Sequence, residues 1–150
     1  LRSSVLLSLH VSCGQSPLLF VLTMDRRKRQ NPLAKHARRG HRGYPVATVA
    51  YYGPDDTRAS KIAVGILPQE GGNVTMMERW HSDLADVRFD RAISKAVLEF
   101  IRSHGVRSVV MADRIIGCPH EEGVDYPEGE ACPKCPFWAI RDRWSGETIQ

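Results

Sequence analysis

Alternating apolar and polar positions divide the middle of the chain into three predicted strands. Residues 46–52 are rich in β-branched and aromatic side chains and stop at the turn sequence 53–56. In residues 61–67 apolar side chains occupy both alternating sets, so both faces of that strand are expected to be covered. A third alternation, over residues 74–80, follows a loop with two adjacent glycines. We expect the first two strands to pair antiparallel.

The clearest periodicity in the chain is helical. Apolar residues recur three to four positions apart, with polar residues between them, and these apolar positions are Phe89, Ile93, Ala96, Val97, Phe100 and Ile101. Asp86 is the predicted N-cap and Gly105 the C-terminal stop. The apolar run 106–112 then predicts a buried strand that returns to the sheet. The chain is therefore predicted to be an α+β domain with a mixed sheet, in the order β-β-β-α-β.

Three antiparallel strands, a helix and a further strand resemble the first half of the ribonuclease H-like fold, and Asp113 falls where that family keeps a metal-binding carboxylate. The resemblance implies a topology and no activity. A two-magnesium nuclease needs several carboxylates that converge on its metals, whereas residues 46–52 contain no Asp and Glu99 falls late in the helix. Asp113 is therefore interpreted as a strand-end cap or turn residue.

The first 23 residues differ in character from the rest of the chain. They begin with Leu1 and contain two apolar runs, 5–9 and 18–22. Neither run approaches the roughly 20 apolar residues that a membrane-spanning helix needs. The dense basic run beyond them argues against a secretory signal. We expect residues 1–23 to be non-native upstream translation or disordered, and the natural product to begin at Met24.

Residues 24–43 concentrate positive charge. They carry eight basic residues against one acidic residue, whereas the chain from Tyr44 onward carries 12 basic and 16 acidic residues. No hydrophobic period runs through this segment, which predicts a disordered basic arm that attracts RNA, DNA or a ribonucleoprotein through phosphate contacts. A solubilising tail is the alternative. The residues predicted to contact nucleic acid are Arg26, Arg27, Lys28, Arg29, Lys35, Arg38, Arg39 and Arg42.

Three cysteines and a histidine are confined to residues 118–135. Cys132 and Cys135 are separated by two residues, and Cys118 and His120 by one, so each pair can direct its side chains to a common ion. Sulfur and imidazole ligands at this spacing favour zinc in a reducing cytoplasm over a disulfide framework. The CxxC turn resembles the knuckles of rubredoxin and zinc ribbons. Cys3His fills all four positions around zinc, which indicates a structural ion.

The identity of the fourth ligand is open at this point. His81, His104 or His41 can replace His120, and Cys118 can instead be a buried core residue with no metal. A structure that shows which imidazole lies next to the three sulfur atoms would decide between these alternatives.

Two catalytic interpretations use the same residues. His120 and Glu122 followed by the CxxC pair resemble the zinc deaminase signature, in which Glu122 would move protons. Only nine residues separate Glu122 from Cys132, Ala131 replaces the family's proline, and Cys118 would displace the catalytic water. The same CxxC also resembles the redox pair of thioredoxins, but that pair normally follows the first strand of a βαβ unit. Both motifs lack their usual structural context.

From Met24 onward the chain resembles small uncharacterised bacterial proteins of unknown function that pair a basic N-terminal arm with a C-terminal Cys/His zinc motif. The resemblance implies zinc but no activity. We predict one cytoplasmic α+β domain over residues 44–150, with its zinc-binding segment at 118–135 and no membrane association, and the sequence identifies no small-molecule substrate. It is expected to act as a zinc-stabilised binding module for nucleic acid or a ribonucleoprotein. The alternative is a zinc-dependent hydrolase or deaminase that uses Glu122 or Asp113.

Overall fold

The computed structural model describes residues 31–142 and 145–149. Within these residues, four strands form one sheet, with two helices and one 3₁₀ turn around it. In chain order the elements are α1 (Pro32–Ala37), β1 (Val46–Tyr52), β2 (Lys61–Leu67), β3 (Met76–His81), α2 (Arg91–Ser103), β4 (Ser108–Ile115) and the 3₁₀ turn Pro136–Trp138. The predicted α+β class with a mixed sheet and one main helix is confirmed.

The strands lie side by side in the order β3-β2-β1-β4. β2 pairs antiparallel with both of its neighbours, and β4 runs parallel to β1. The strands predicted at 46–52 and 61–67 have those bounds, because both end at strong turn signals. β3 and β4 lie further along the chain than predicted, since their apolar runs begin in loops that precede the pairing.

One face of the sheet carries the core. Antiparallel register puts Val49 opposite Val64 and Tyr51 opposite Ile62, so these four side chains share a face. All four are at most 3 % exposed, and α2 covers them with Val97 and other apolar residues. This packing fixes where β1 and β4 end, and therefore where the segment after β4 begins.

The N-cap of the main helix lies four residues beyond the predicted position. The Asp90 carboxylate, not that of Asp86, accepts the N–H of Ile93 at 2.9 Å. Asp86 instead binds the Arg88 guanidinium, with contacts of 2.6 to 3.2 Å. Phe89, predicted on the helix, therefore lies before it and is 36 % exposed.

The prediction of a disordered arm over 24–43 is wrong for its second half. Residues 32–37 form α1, and the Asn31 side chain caps it by accepting the N–H of Leu33 at 3.0 Å. Leu33 is 2 % exposed within the main core, a burial worth about 1.5–3 kcal/mol. One buried leucine and one asparagine cap thus outweigh the segment's charge. Residues 24–30, with Arg26, Arg27, Lys28 and Arg29, and the predicted segment 1–23 lie outside the described residues.

The longest helix in the described part of the chain is α2, with 13 residues. No helix there combines the length and the apolar character that crossing a bilayer requires.

Candidate metal centre

The chain beyond β4 is held against the end of β1, which positions Cys118. The Ile116 N–H donates to the Tyr51 carbonyl, and the Gly53 N–H donates to the Gly117 carbonyl, both at 2.9 Å. These two bonds continue the alignment of β1 with β4 past the last residue of each strand. Cys118 therefore leaves the sheet at a fixed point beside the turn that joins β1 to β2.

A second loop brings Cys132 and Cys135 to the same place. The Cys135 N–H donates to the Cys132 carbonyl at 3.3 Å, which closes the CxxC turn. The Trp138 N–H then donates to the Cys135 carbonyl at 3.1 Å, and the Trp138 indole N–H donates to the Gly53 carbonyl at 2.8 Å. Gly53 thus binds both metal-site segments through its own peptide groups.

The four predicted ligands converge on one point. Their ligand atoms all lie within 4.8 Å of one another. The Nδ1 atom of His120 lies 3.2 Å from the Sγ of Cys118, 3.5 Å from that of Cys132 and 3.4 Å from that of Cys135. Bond lengths of about 2.3 Å to sulfur and 2.0 Å to nitrogen put tetrahedral N–S edges at about 3.5 Å. The four side chains can therefore hold one metal ion.

His120 is the histidine in this cluster, and the alternatives left open by the sequence lie elsewhere. The ring of His104 is 2.8 Å from the Phe100 carbonyl at the end of α2. His41 stacks edge-on with Tyr44, and His81 ends β3. Because Nδ1 of His120 is the atom near all three sulfurs, it is the nitrogen available as the fourth ligand.

The thiols resist simultaneous ionisation. Burial, followed by the neighbouring Cys118, raises the pKa of Cys135 to about 12. Burial also raises the pKa of Cys118. For Cys132 burial is outweighed by N–H donors from Lys134 and Cys135 and by the Cys118 thiol, so its pKa is lowered. Clustered thiolates repel one another, and a bound cation is the group that would remove this penalty.

The cluster sits in its own small apolar layer. Cys118, Cys132 and Cys135 are at most 8 % exposed, and Tyr126 and Trp138 pack against them. Trp138 also touches the main core. An ion bound there would be shielded from water, and its ligands would be linked to the sheet through the packing of Trp138.

Lys61 fixes the segment between two of the ligands, a role that the strand pattern did not reveal. The residue is only 4 % exposed, and its ammonium donates to the Pro119 carbonyl at 2.9 Å and to the Glu121 carboxylate at 2.7 Å. Arg79 binds the same carboxylate at 2.7 Å. The one sequence signal for this role was a lysine at the start of an otherwise apolar strand.

The carboxylates of the catalytic interpretations do not come together. Glu122 is exposed at the edge of a groove beside Cys118 and His120, and its carboxylate accepts the Gly129 N–H at 2.6 Å. Asp113 lies in β4 and lines a different cavity, together with Arg38. The structure therefore places these two carboxylates at separate sites.

Part of the predicted nucleic-acid-binding set lies on and just after α1. Lys35 is in the helix, and Arg38, Arg39 and Arg42 follow it, all with exposed side chains. The Arg42 N–H is anchored on the Ser108 hydroxyl at 2.7 Å.

The main helix adds basic residues that sequence analysis missed. His36 of α1 lies close enough to Arg39, Arg102 and Lys35 that they, after burial, lower its pKa. Arg91, Lys95 and Arg102 of α2 share a shallow cavity with Pro32 of α1. We call the set on and directly after these two helices the basic face; it comprises Lys35, Arg39, Arg91, Lys95 and Arg102. None of its members forms an ion pair with another described residue.

Comparison with known proteins assigns no relative. A scan against protein-family models found no matching family, and searches of curated proteins and of solved structures found no match.

Proposed function

We propose that Cys118, His120, Cys132 and Cys135 bind one structural Zn²⁺. The observation that carries this proposal is the position of His120 Nδ1, 3.2 to 3.5 Å from all three sulfurs. Three thiolates and an imidazole form a soft donor set that suits tetrahedral zinc. With four protein ligands the ion has no free position for a substrate water, so its contribution is to join the two loops to the sheet.

Metal analysis of the purified protein tests this proposal. We expect one zinc per chain by elemental analysis, and loss of that zinc in Cys132→Ser. Cys13→Ser is the matched control, because it removes the one cysteine that falls outside residues 118–135 of the sequence and should leave the metal content unchanged. A wild-type protein purified without chelator that lacks stoichiometric zinc would refute the proposal.

We also propose that the protein is a binding module for nucleic acid, free or in a ribonucleoprotein, which it contacts through the basic face. The supporting observation is that five cations on two helices have no acidic partner among the described residues. The lowered pKa of His36, due to burial and then to Arg39, Arg102 and Lys35, reports a positive local potential. Phosphates can neutralise such a surface without any reading of base sequence.

Salt-dependent binding to RNA tests this second proposal. Lys35→Gln with Arg39→Gln should weaken retention and lower the salt slope by about 1.4, the value expected for two phosphate contacts on a single strand. Arg58→Gln with Arg114→Gln is the control, because it removes the same charge from side chains that bind other segments, at the Asp83 and Ser145 carbonyls. Equal effects of the two double variants would show that only net charge matters and would contradict a defined surface.

A topological proposal accompanies these. The strand order β3-β2-β1-β4, with β4 parallel to β1, supports the resemblance to the first half of the ribonuclease H-like fold. The proposal concerns strand arrangement alone, since Asp113 and Glu122 lie at different sites.

A further inference from the structure

A second cavity lies on the other side of α1 from the basic face. Its volume is about 530 Å³, within the range of roughly 300–1,000 Å³ that small-ligand pockets occupy. It lies between α1, the strand β4 and the segment that precedes α2. Its main lining residues are Ala34, Ala37, Tyr51, Phe89, Met111 and Asp113.

An irregularity in β4 faces this cavity. Val49 of β1 pairs with Met111 of β4, and the next pair that the register gives is Tyr51 with Ile115. Between these two pairs β1 advances by two residues, whereas β4 advances by four. β4 therefore contains two extra residues beside β1. Such bulges re-aim side chains and are frequent next to functional sites. Here the bulged segment contains Ala112 and Asp113, which both line the cavity.

Two polar groups of opposite hydrogen-bonding character reach the cavity. The Tyr51 side chain is 2 % exposed, and its hydroxyl accepts the Asn31 amide N–H at 2.8 Å. No described residue accepts the proton of that hydroxyl, so it is available as a donor. A carboxylate such as that of Asp113 has only acceptor oxygens. A ligand with both acceptor and donor groups along one edge would satisfy them.

One aromatic ring in the cavity wall is partly exposed. Phe89 is 36 % exposed, and the Arg88 guanidinium lies 5.4 Å from its ring centre. Arg88 is itself held by Asp86 and by the Thr57 carbonyl at 2.8 Å, so this cation–π pair forms a fixed wall. A planar base can stack on such a wall.

The cations of this cavity and of the groove beside the metal centre differ in their ion pairing. The two cations in that groove, Lys61 and Arg79, both bind Glu121 and are neutralised in part. In the α1 cavity Arg38 has no ion-pair partner among the described residues. Arg38, which lines the cavity, directly precedes Arg39 of the basic face, so a strand bound on that face can direct one base into the cavity.

We propose that this cavity binds one base of a single-stranded nucleic acid and prefers guanine. The inference rests on the proposed nucleic-acid function and adds the base to it. Guanine presents two adjacent donors, N1–H and N2–H, which a carboxylate such as that of Asp113 can accept together, while its O6 accepts from a hydroxyl. Adenine and cytosine place an acceptor beside their amino group, and uracil offers one donor between two acceptors. Phe89 supplies the stacking surface, and Arg38 is placed to meet the phosphate.

Titration with the four ribonucleoside 5′-monophosphates, followed by amide NMR shifts, tests the inference. We expect guanosine monophosphate to bind about tenfold more tightly than the other three, the discrimination of a good bidentate contact. Asp113→Asn should remove that preference, because an amide offers one donor and one acceptor. Phe89→Leu should weaken all four nucleotides about equally. Because Asp113 and Phe89 are exposed, we expect both variants to fold. Zinc content and a circular dichroism spectrum equal to those of the wild type would verify this.

The guanine site and nucleic-acid binding through the basic face can be refuted separately. If single-stranded RNA is retained through Lys35 and Arg39 but the nucleotides bind without preference, or Asp113→Asn leaves the preference unchanged, the guanine site is refuted and the nucleic-acid function stands. If RNA is not retained by the wild-type protein at low salt, the proposed function fails and the inference fails with it.

Discussion

The metal centre and the basic face are two regions built in opposite ways. The four ligands of the metal centre fall within 18 residues, and two loops bring them to within 4.8 Å of one another. The basic face joins α1 to a stripe of α2 that lies some sixty residues later. The first region depends on local spacing and buried contacts, whereas the second depends on how two helices pack. Removing a contact should therefore be far more damaging in the first region than in the second.

Loss of a cysteine ligand is expected to give the largest effect. Cys135→Ser should abolish metal binding and unfold the segment 118–138, because binding free energies of about 10–16 kcal/mol are typical of structural zinc. Hydrogen exchange should show new, fast-exchanging amides after β4, while β1 and β2 keep their protection. The Cys13→Ser control should keep the wild-type pattern. Protection of 118–138 that survives in Cys135→Ser would contradict the structural role of the ion.

Substitution of Gly53 should come next. A Cβ at this position would lie 2.1 Å from the Arg58 carbonyl oxygen, so Gly53→Ala must displace the backbone that binds Gly117 and Trp138. We expect a loss of about 2–4 kcal/mol in the free energy of unfolding, with weaker metal retention. Gly71→Ala is the control: its surroundings are open, and only its positive φ opposes the change, at about 1–2 kcal/mol. Equal losses in chemical denaturation would contradict the anchoring role of Gly53.

Removal of the Lys61 ammonium should have a smaller, metal-specific effect. Lys61→Met leaves the Pro119 carbonyl and the Glu121 carboxylate without their buried donor. We expect metal affinity to fall about 10- to 100-fold in competition with a chelator, as for other groups that orient ligands. Arg79→Gln should change it less, because that side chain is 40 % exposed and its ion pair is screened by water. An unchanged affinity in Lys61→Met would show that the loop holds its shape without the lysine.

The smallest expected effect concerns the titration of His36 on the basic face. Burial, and then Arg39, Arg102 and Lys35, keep its pKa below the ordinary value of 6.5. The folded state therefore favours neutral His36, and this contribution to stability is present above pH 6.5 and is lost as the pH falls toward the folded pKa. Single-stranded RNA should raise the pKa by adding negative charge, measurable from the ring proton shifts. A pKa unaffected by saturating RNA would place the bound strand elsewhere.

Elements marked by strong local signals were predictable from the sequence. β1 and β2 end at glycine- and proline-containing turns, and the metal ligands occur at spacings that few other roles require. The N-cap of α2 was misplaced because Asp86 and Asp90 are chemically identical candidates, and only the Arg88 partner of Asp86 distinguishes them.

Features that depend on tertiary packing were not predictable. α1 is a six-residue helix stabilised by one buried leucine, a contact that no local periodicity can reveal. The role of Lys61 depends on a loop 58 residues further along the chain. The cavity beside α1 depends on two extra residues in β4, which become visible only once the register with β1 is known.

X-ray absorption spectroscopy on the metal-loaded protein counts the ligands of the ion. We expect zinc surrounded by three sulfur atoms at about 2.3 Å and one imidazole nitrogen at about 2.0 Å, with no water ligand. His120→Ala should replace the nitrogen shell with an oxygen from solvent while keeping three sulfurs. A wild-type spectrum with two sulfurs, or with an oxygen ligand in place of the imidazole, would contradict the four-ligand structural site.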